Sequence, residues 1–161
     1  MHRTKQEQEE TEQIIRQYAD TVYRLAYSYV RNRSDAEDIF QETFLRYVRK
    51  KPKFESESHC RAWLIRVTAN CAKNHLNTAW KRHTVSLEET AGAALPEEER
   101  RLDAALRELE PHYRAVIHLY YYEGYRTEEI AKILNRKPST IRSQLKRARE
   151  RLGELVKEEL L

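Results

Sequence analysis

Residues Thr127–Leu152 read TEEIAKILNRKPSTIRSQLKRARERL, and this stretch decides how the rest of the chain is read. Thr127 is placed to cap a first short helix over 127–134. Ile130, Ile133 and Leu134 give that helix one apolar face, and Ala131 is small where two helices would cross closely. Asn135 follows at a tight turn that needs a left-handed backbone. Glycine is commoner there, but asparagine tolerates the conformation. A second helix is predicted over 139–152, with Ile141 and Leu145 turned back to the core. Its outer face carries Ser139, Thr140, Arg142, Ser143, Lys146, Arg147 and Arg149, with Arg136 and Lys137 at the turn. This is a helix-turn-helix whose second helix suits a major groove: arginine offers a bidentate fork to guanine, and hydroxyls reach phosphate or base edges. The bland alternative is a solvated charged helix in an ordinary bundle.

Working outward, helical periodicity runs upstream from Glu97 through Leu102, Leu106 and Leu109. Pro111 suits the first turn of the next helix, which carries Tyr113, Val116, Ile117 and Tyr120, and Gly124 suits its stop. Before that, HTVSLEETAGAALPEE loses all periodicity and reads as a linker. The N-terminal half resumes the helical pattern. One helix is predicted over about 12–31, from Ile14, Ile15, Tyr18, Val22, Leu25 and Tyr29. A second has Ser34 as its cap, with Asp35, Glu37 and Asp38 in the first turn, and stops before Pro52. A third is predicted over 59–80, with Trp63, Leu64, Val67 and Cys71 inward. The predicted fold class is all-α: two small helical domains, 1–82 and 98–161, joined by a flexible linker over 83–97.

Composition supports this. The 161 residues are 35% charged and hold only 3 glycines, which favours helices with narrow apolar stripes over β-turns. Net charge is +4 and unevenly spread. Ser58–Leu87 has no Asp or Glu but five cations, Arg61, Arg66, Lys73, Lys81 and Arg82, and residues 136–151 carry seven cations against Glu150. Two separated basic zones suggest two contacts with an anion. Cys60 and Cys71, on one helix, would stand ~16 Å apart along its axis, too far for a disulfide. That fits a reducing cytoplasm. The polar start MHRTKQEQEE is not a signal peptide, and no apolar run is long enough to span a bilayer.

The string DAEDIFQETFLRYVRK reverses charge midway. Its acidic start either complements the helix dipole or faces a basic protein partner. CRAWLIRVTANCAKNHL is aromatic, basic and acid-free. Arg66, Asn70, Lys73 and Asn74 are placed to touch a single strand, Trp63 reads as mainly core, and the loop Phe54–Ser58 is the better place for base capture.

Together these segments resemble the extracytoplasmic-function sigma factors of bacterial RNA polymerase. DAEDIFQETF is similar to the family's helix that docks on the polymerase's largest subunit, which implies that role for Asp35, Glu37, Asp38, Ile39, Gln41, Glu42 and Phe44. WLIRVTANCAKNHL and the loop before it resemble the part that opens the minus-ten element. This implies contacts from Lys53, Phe54, Glu55, Ser56, Glu57, Trp63, Arg66, Asn70, Lys73 and Asn74, with a flipped base held by the loop. The C-terminal stretch resembles the minus-thirty-five reader, implying Arg136, Lys137, Ser139, Thr140, Arg142, Ser143, Lys146, Arg147 and Arg149. The resemblance also implies contact with the second-largest subunit and an anti-sigma factor as a further partner. Cys60, Asn74 and Asn135 depart from the family's usual residues. Two rivals remain. A regulator using only the helix-turn-helix leaves the acidic helix and the Trp63 segment unused. A metal protein built on Cys71 and His75 would need His59 and Cys60, which lie too far along the same helix. Neither a glycine-rich phosphate loop nor a nucleophile elbow is present, so no cofactor, metal or catalysis is expected.

Overall fold

The computed structural model describes residues 4–82 and 96–159, all helix and turn with no strand among the described residues. The linker expected over 83–97 lies almost wholly outside them. The helices are α1 Lys5–Val30, α2 Arg33–Lys50, α3 Glu57–Arg82, α4 Glu97–Glu108, α5 Pro111–Ile117, α6 Thr127–Leu134 and α7 Pro138–Glu159. Between α5 and α6 the chain makes one π-helical turn, His118–Tyr122.

Local chemistry fixes the boundaries. α1 starts earlier than its apolar stripe suggests because the Thr4 side chain accepts the Glu7 N–H at 3.2 Å. It stops where Arg31 turns left-handed, φ 53°. The cap of α2 is Asn32, not Ser34: its Oδ1 accepts the Asp35 N–H at 2.8 Å. A left-handed Lys51, followed by Pro52, ends α2. α3 begins at Glu57 because Ser56 Oγ accepts the His59 N–H at 3.1 Å, so Glu57 and Ser58 belong to the helix and not to the loop. Thr127 is likewise not the cap of α6. The Arg126 N–H is satisfied by Glu129 Oε1 at 3.0 Å, the N3 side chain reaching back. Pro111 opens α5, Gly124 takes φ +77° after the π turn, and Asn135 takes φ 56° between α6 and α7, as their residue types predict.

Three helices, α1–α3, pack on each other, and α4–α7 pack around α7. The halves then share a core. One buried cluster runs from Leu25, Tyr29, Ile39, Ile65 and Ala72 into Val116, Leu119, Ile130, Ile141 and Leu145. A second cluster, Tyr18, Val22, Phe44, Cys60 and Leu64, sits under the loop before α3. A third, Ala105, Leu109 and Leu155, pins α4 to the end of α7. Cys60 and Cys71 are free, buried thiols. None of the described helices is long and apolar enough to cross a membrane.

Candidate nucleic-acid interface

The α6–α7 pair is a helix-turn-helix in geometry as well as pattern. The Arg136 N–H closes on Ala131 O at 2.8 Å across the left-handed Asn135, which sets the turn. Ile141 and Leu145 are buried, while Arg136, Lys137, Ser139, Arg142, Ser143, Lys146 and Arg147 are exposed, with Thr140 half-buried beside them. Arg149 differs. Its Nε donates to Tyr121 Oη at 2.5 Å, and its guanidinium lies over the Tyr120 and Tyr121 rings at 5.3 and 5.4 Å. It ties α7 to the π turn.

On α3, Arg66, Asn70 and Asn74 are exposed at successive helical turns, with Lys73 half-buried beside them. Burial and the nearby Arg136 hold the Lys73 ammonium below its usual range. Lys73 of α3 therefore lies near Arg136, at the turn between α6 and α7. Trp63 is half-buried: it meets Tyr47 at 6.2 Å and Phe54 at 5.9 Å. Phe54 also stacks on Tyr47 at 6.3 Å and meets His59 edge-on at 5.4 Å. These ring contacts anchor the loop that begins at Phe54. Lys53, Glu55 and Ser56 form the exposed rim, with Glu57 exposed at the start of α3. His59 Nδ1 accepts the Glu55 N–H at 3.2 Å and holds that rim down.

On α2, Glu37, Asp38 and Gln41 are exposed, with Asp35 and Glu42 half-buried. Ile39 and Phe44 are buried at 1% and 6% exposure, so they hold the helix in place and present nothing to a partner. Sequence reading missed Leu45, an apolar side chain left 46% exposed one turn beyond Gln41. Asp35, Asp38 and His75 gather at the start of α2, but His75 Nε2 lies 3.0 Å from Asp35 Oδ1 and Asn32 Nδ2 donates to Asp35 Oδ2 at 2.6 Å. The contact with His75 and the cap hydrogen bond already engage both oxygens of Asp35.

Against known families, residues 14–82 match the model of Sigma-70 region 2, and residues 99–152 match that of Sigma-70, region 4. The RNA polymerase sigma factor CarQ of Myxococcus xanthus is 32% identical, over 94% of this chain and 91% of CarQ. The chain belongs to the extracytoplasmic-function sigma factors. The ECF RNA polymerase sigma factor SigE of Mycolicibacterium smegmatis is 35% identical over 90% of this chain, which spans only 61% of SigE. The sigma factor RpoE of Bartonella quintana, solved in complex with the anti-sigma factor NepR, superposes with TM-score 0.72 at 25% identity, over 91% of this chain and 96% of RpoE. Coverage of that extent includes both halves. As a sigma factor the chain directs promoter-specific initiation by RNA polymerase.

This sigma factor also brings together residues that no motif announces. Arg114 is 7% exposed, and its Nε and Nη2 donate to Ser28 O and Tyr29 O at 2.6 and 2.5 Å. Arg61 pairs with Glu123, whose Oε1 lies 3.3 Å from His118 Nε2. The His118 hydrogen bond first, and the Arg61 charge with it, hold the Glu123 carboxyl below its usual range, although burial pushes the other way. Only the pairing of acid and base across about sixty residues could have signalled this, and sequence spacing does not encode it.

Proposed function

We propose that residues 1–82 bind core polymerase and open the minus-ten element, that 83–97 serve as a linker, and that 98–161 read the minus-thirty-five element. The carrying observation is the α7 face: Arg142, Ser143, Lys146 and Arg147 stand exposed on a helix whose opposite side is locked by Ile141 and Leu145. Arg142 and Ser143 are the base readers, and the flanking cations hold phosphate. On α3, Arg66, Asn70, Lys73 and Asn74 track the unpaired strand. The rim Lys53, Glu55 and Ser56, with Glu57 at the helix start, accepts the extruded base beside Trp63. Unstacking a base costs a few kcal/mol, supplied here by binding. The acidic α2 face, Glu37, Asp38 and Gln41, seats the chain on a basic surface of the polymerase's largest subunit, and the C-terminal half meets the second-largest. An anti-sigma factor, like the one held by RpoE, is the regulator, the compartment is the cytoplasm, and the chain itself catalyses nothing.

Run-off transcription with core polymerase on a promoter library tests this. Initiation should depend on sequence at both elements. If the purified chain associates with core polymerase but starts equally from all templates, the reading fails.

A further inference from the structure

His59 touches no promoter element in the reading above, yet it holds the loop before α3. Ser56 Oγ accepts the His59 N–H at 3.1 Å, and His59 Nδ1 accepts the Glu55 N–H at 3.2 Å. The two bonds are reciprocal, like a capping box that reaches back one residue further than usual. The imidazole also meets Phe54 edge-on at 5.4 Å, and Phe54 is itself packed on Tyr47 and Trp63. Phe54 thus fixes where the loop begins, and His59 fixes how its exposed part, Glu55 and Ser56, sits over α3.

α6 uses the same device with a different side chain. There Glu129, also the third residue of its helix, accepts the Arg126 N–H at 3.0 Å, and that bond holds the Glu129 carboxyl below its usual range. A carboxylate keeps accepting well into acid. An imidazole does not, because histidine changes charge between about pH 5 and 8. A backbone N–H can only donate, so Nδ1 of His59 carries a lone pair and the ring is the neutral form protonated at Nε2. A proton on Nδ1 sets donor against donor and releases the Glu55 N–H. Charges of both signs line the space around the ring: Glu55 of the loop, Arg66 of α3, and Glu129 and Lys132 of α6, with Tyr125 between them. Glu57 lies two residues back on α3. Beneath the loop, burial raises the Tyr18 hydroxyl and the Cys60 thiol, so both stay protonated where histidine titrates.

We propose that His59 is a positioning residue for minus-ten recognition: its neutral imidazole sets the base-accepting rim, and protonation at Nδ1 releases it. The inference rests on assigning that rim to the extruded base. Acid then does two separable things. It leaves Glu55 and Ser56 to be ordered on binding, which lowers base discrimination. It also adds a cation beside the DNA, which strengthens sequence-blind attraction to phosphate. Discrimination and overall affinity therefore move in opposite directions, which a loss of structure would not produce.

The test uses the full chain with core polymerase and a forked DNA whose minus-ten non-template strand is unpaired. An abasic site replaces each position of that strand in turn, and the largest loss of affinity measures base capture. Wild type should show this loss at about pH 8, and the loss should shrink roughly threefold at about pH 6, the worth of one net intramolecular hydrogen bond. His59→Asn keeps a side-chain acceptor near the place of Nδ1 and does not titrate, so its loss should be the same at both. His59→Lys is charged throughout and has no acceptor, so it should show the reduced loss at both. Any response of the polymerase itself to pH acts on all three chains alike. Helical circular dichroism should be unchanged, since His59 is exposed. A wild-type loss that ignores pH, or one that changes equally in His59→Asn, would overturn the proposal. So would full discrimination by His59→Lys at about pH 8. If no abasic position matters to the wild type even at about pH 8, the assignment of the rim to the extruded base falls, and the role of His59 falls with it. A loss that is present but indifferent to pH sinks His59 alone.

Discussion

α2 and α7 are built alike and charged oppositely. Each buries an apolar stripe in the same core, Ile39 from one and Ile141 with Leu145 from the other. Each leaves a polar face to solvent, yet α2 shows Glu37, Asp38 and Gln41 where α7 shows Arg142, Lys146 and Arg147. They differ in a second way. α2 also exposes Leu45, whereas among the described residues α7 exposes no large apolar side chain. Burial fixes each helix, and on the function proposed above charge sign selects its partner. An exposed apolar side chain separates a protein partner, which can bury it, from a duplex, which offers mainly phosphate and base edges.

The largest expected effects test the part the helices share. Ile39→Ala and Ile141→Ala should each destabilise the chain by about 2–5 kcal/mol, the range for emptying a buried aliphatic site. Because both side chains belong to one cluster that crosses the halves, denaturant should still unfold each variant in a single transition. Two separated transitions, with only the mutated half shifted, would show that the common core is not energetically continuous.

The opposed faces should then fail independently. Arg142→Ala should weaken binding to a duplex bearing the upstream element by about 1–3 kcal/mol and relax base preference at one position, with core-polymerase affinity unchanged. Asp38→Lys should do the reverse, lowering core affinity and sparing duplex binding. Each is measurable by fluorescence anisotropy with labelled DNA or labelled polymerase. Loss of both activities in either variant would break the comparison.

Much of this was legible in the sequence, for reasons that are local. Helical periodicity located the helices, and Asn135, Gly124 and Pro111 marked turns because their backbone preferences are intrinsic. Which residue capped which helix was less legible. The cap of α2 is Asn32 and not Ser34, and at α6 Glu129 reaches back to the Arg126 N–H, because several nearby polar residues can start a helix and geometry decides among them. Ile39 and Phe44 came with the docking motif but proved buried, since a motif records which residues recur and not which way they point. That Phe54 anchors the loop it begins was not legible, because Tyr47, Trp63 and His59 surround it only after folding. Arg114, Arg61 and Glu123 were invisible. Their partners lie 85, 86 and 62 positions away, beyond anything periodicity can report.

The smallest effects sharpen the contrast furthest, because they separate charge from apolar burial on the two faces. Lys146→Ala removes one exposed cation from α7 and, if that cation neutralises one phosphate, should lower the slope of log affinity against log salt by about 0.9. The loss in affinity should shrink as salt rises, since the released counterion supplies it. Leu45→Ala removes about half a leucine's worth of burial from the α2 contact and should weaken core association by about 1 kcal/mol. That loss should be the same at low and high salt, because hydrophobic burial carries no counterions. Isothermal titration at two salt concentrations distinguishes them. If the Leu45→Ala deficit instead faded with salt as the Lys146→Ala deficit does, the exposed leucine would lie outside the contact and α2 would bind by charge alone, as α7 does.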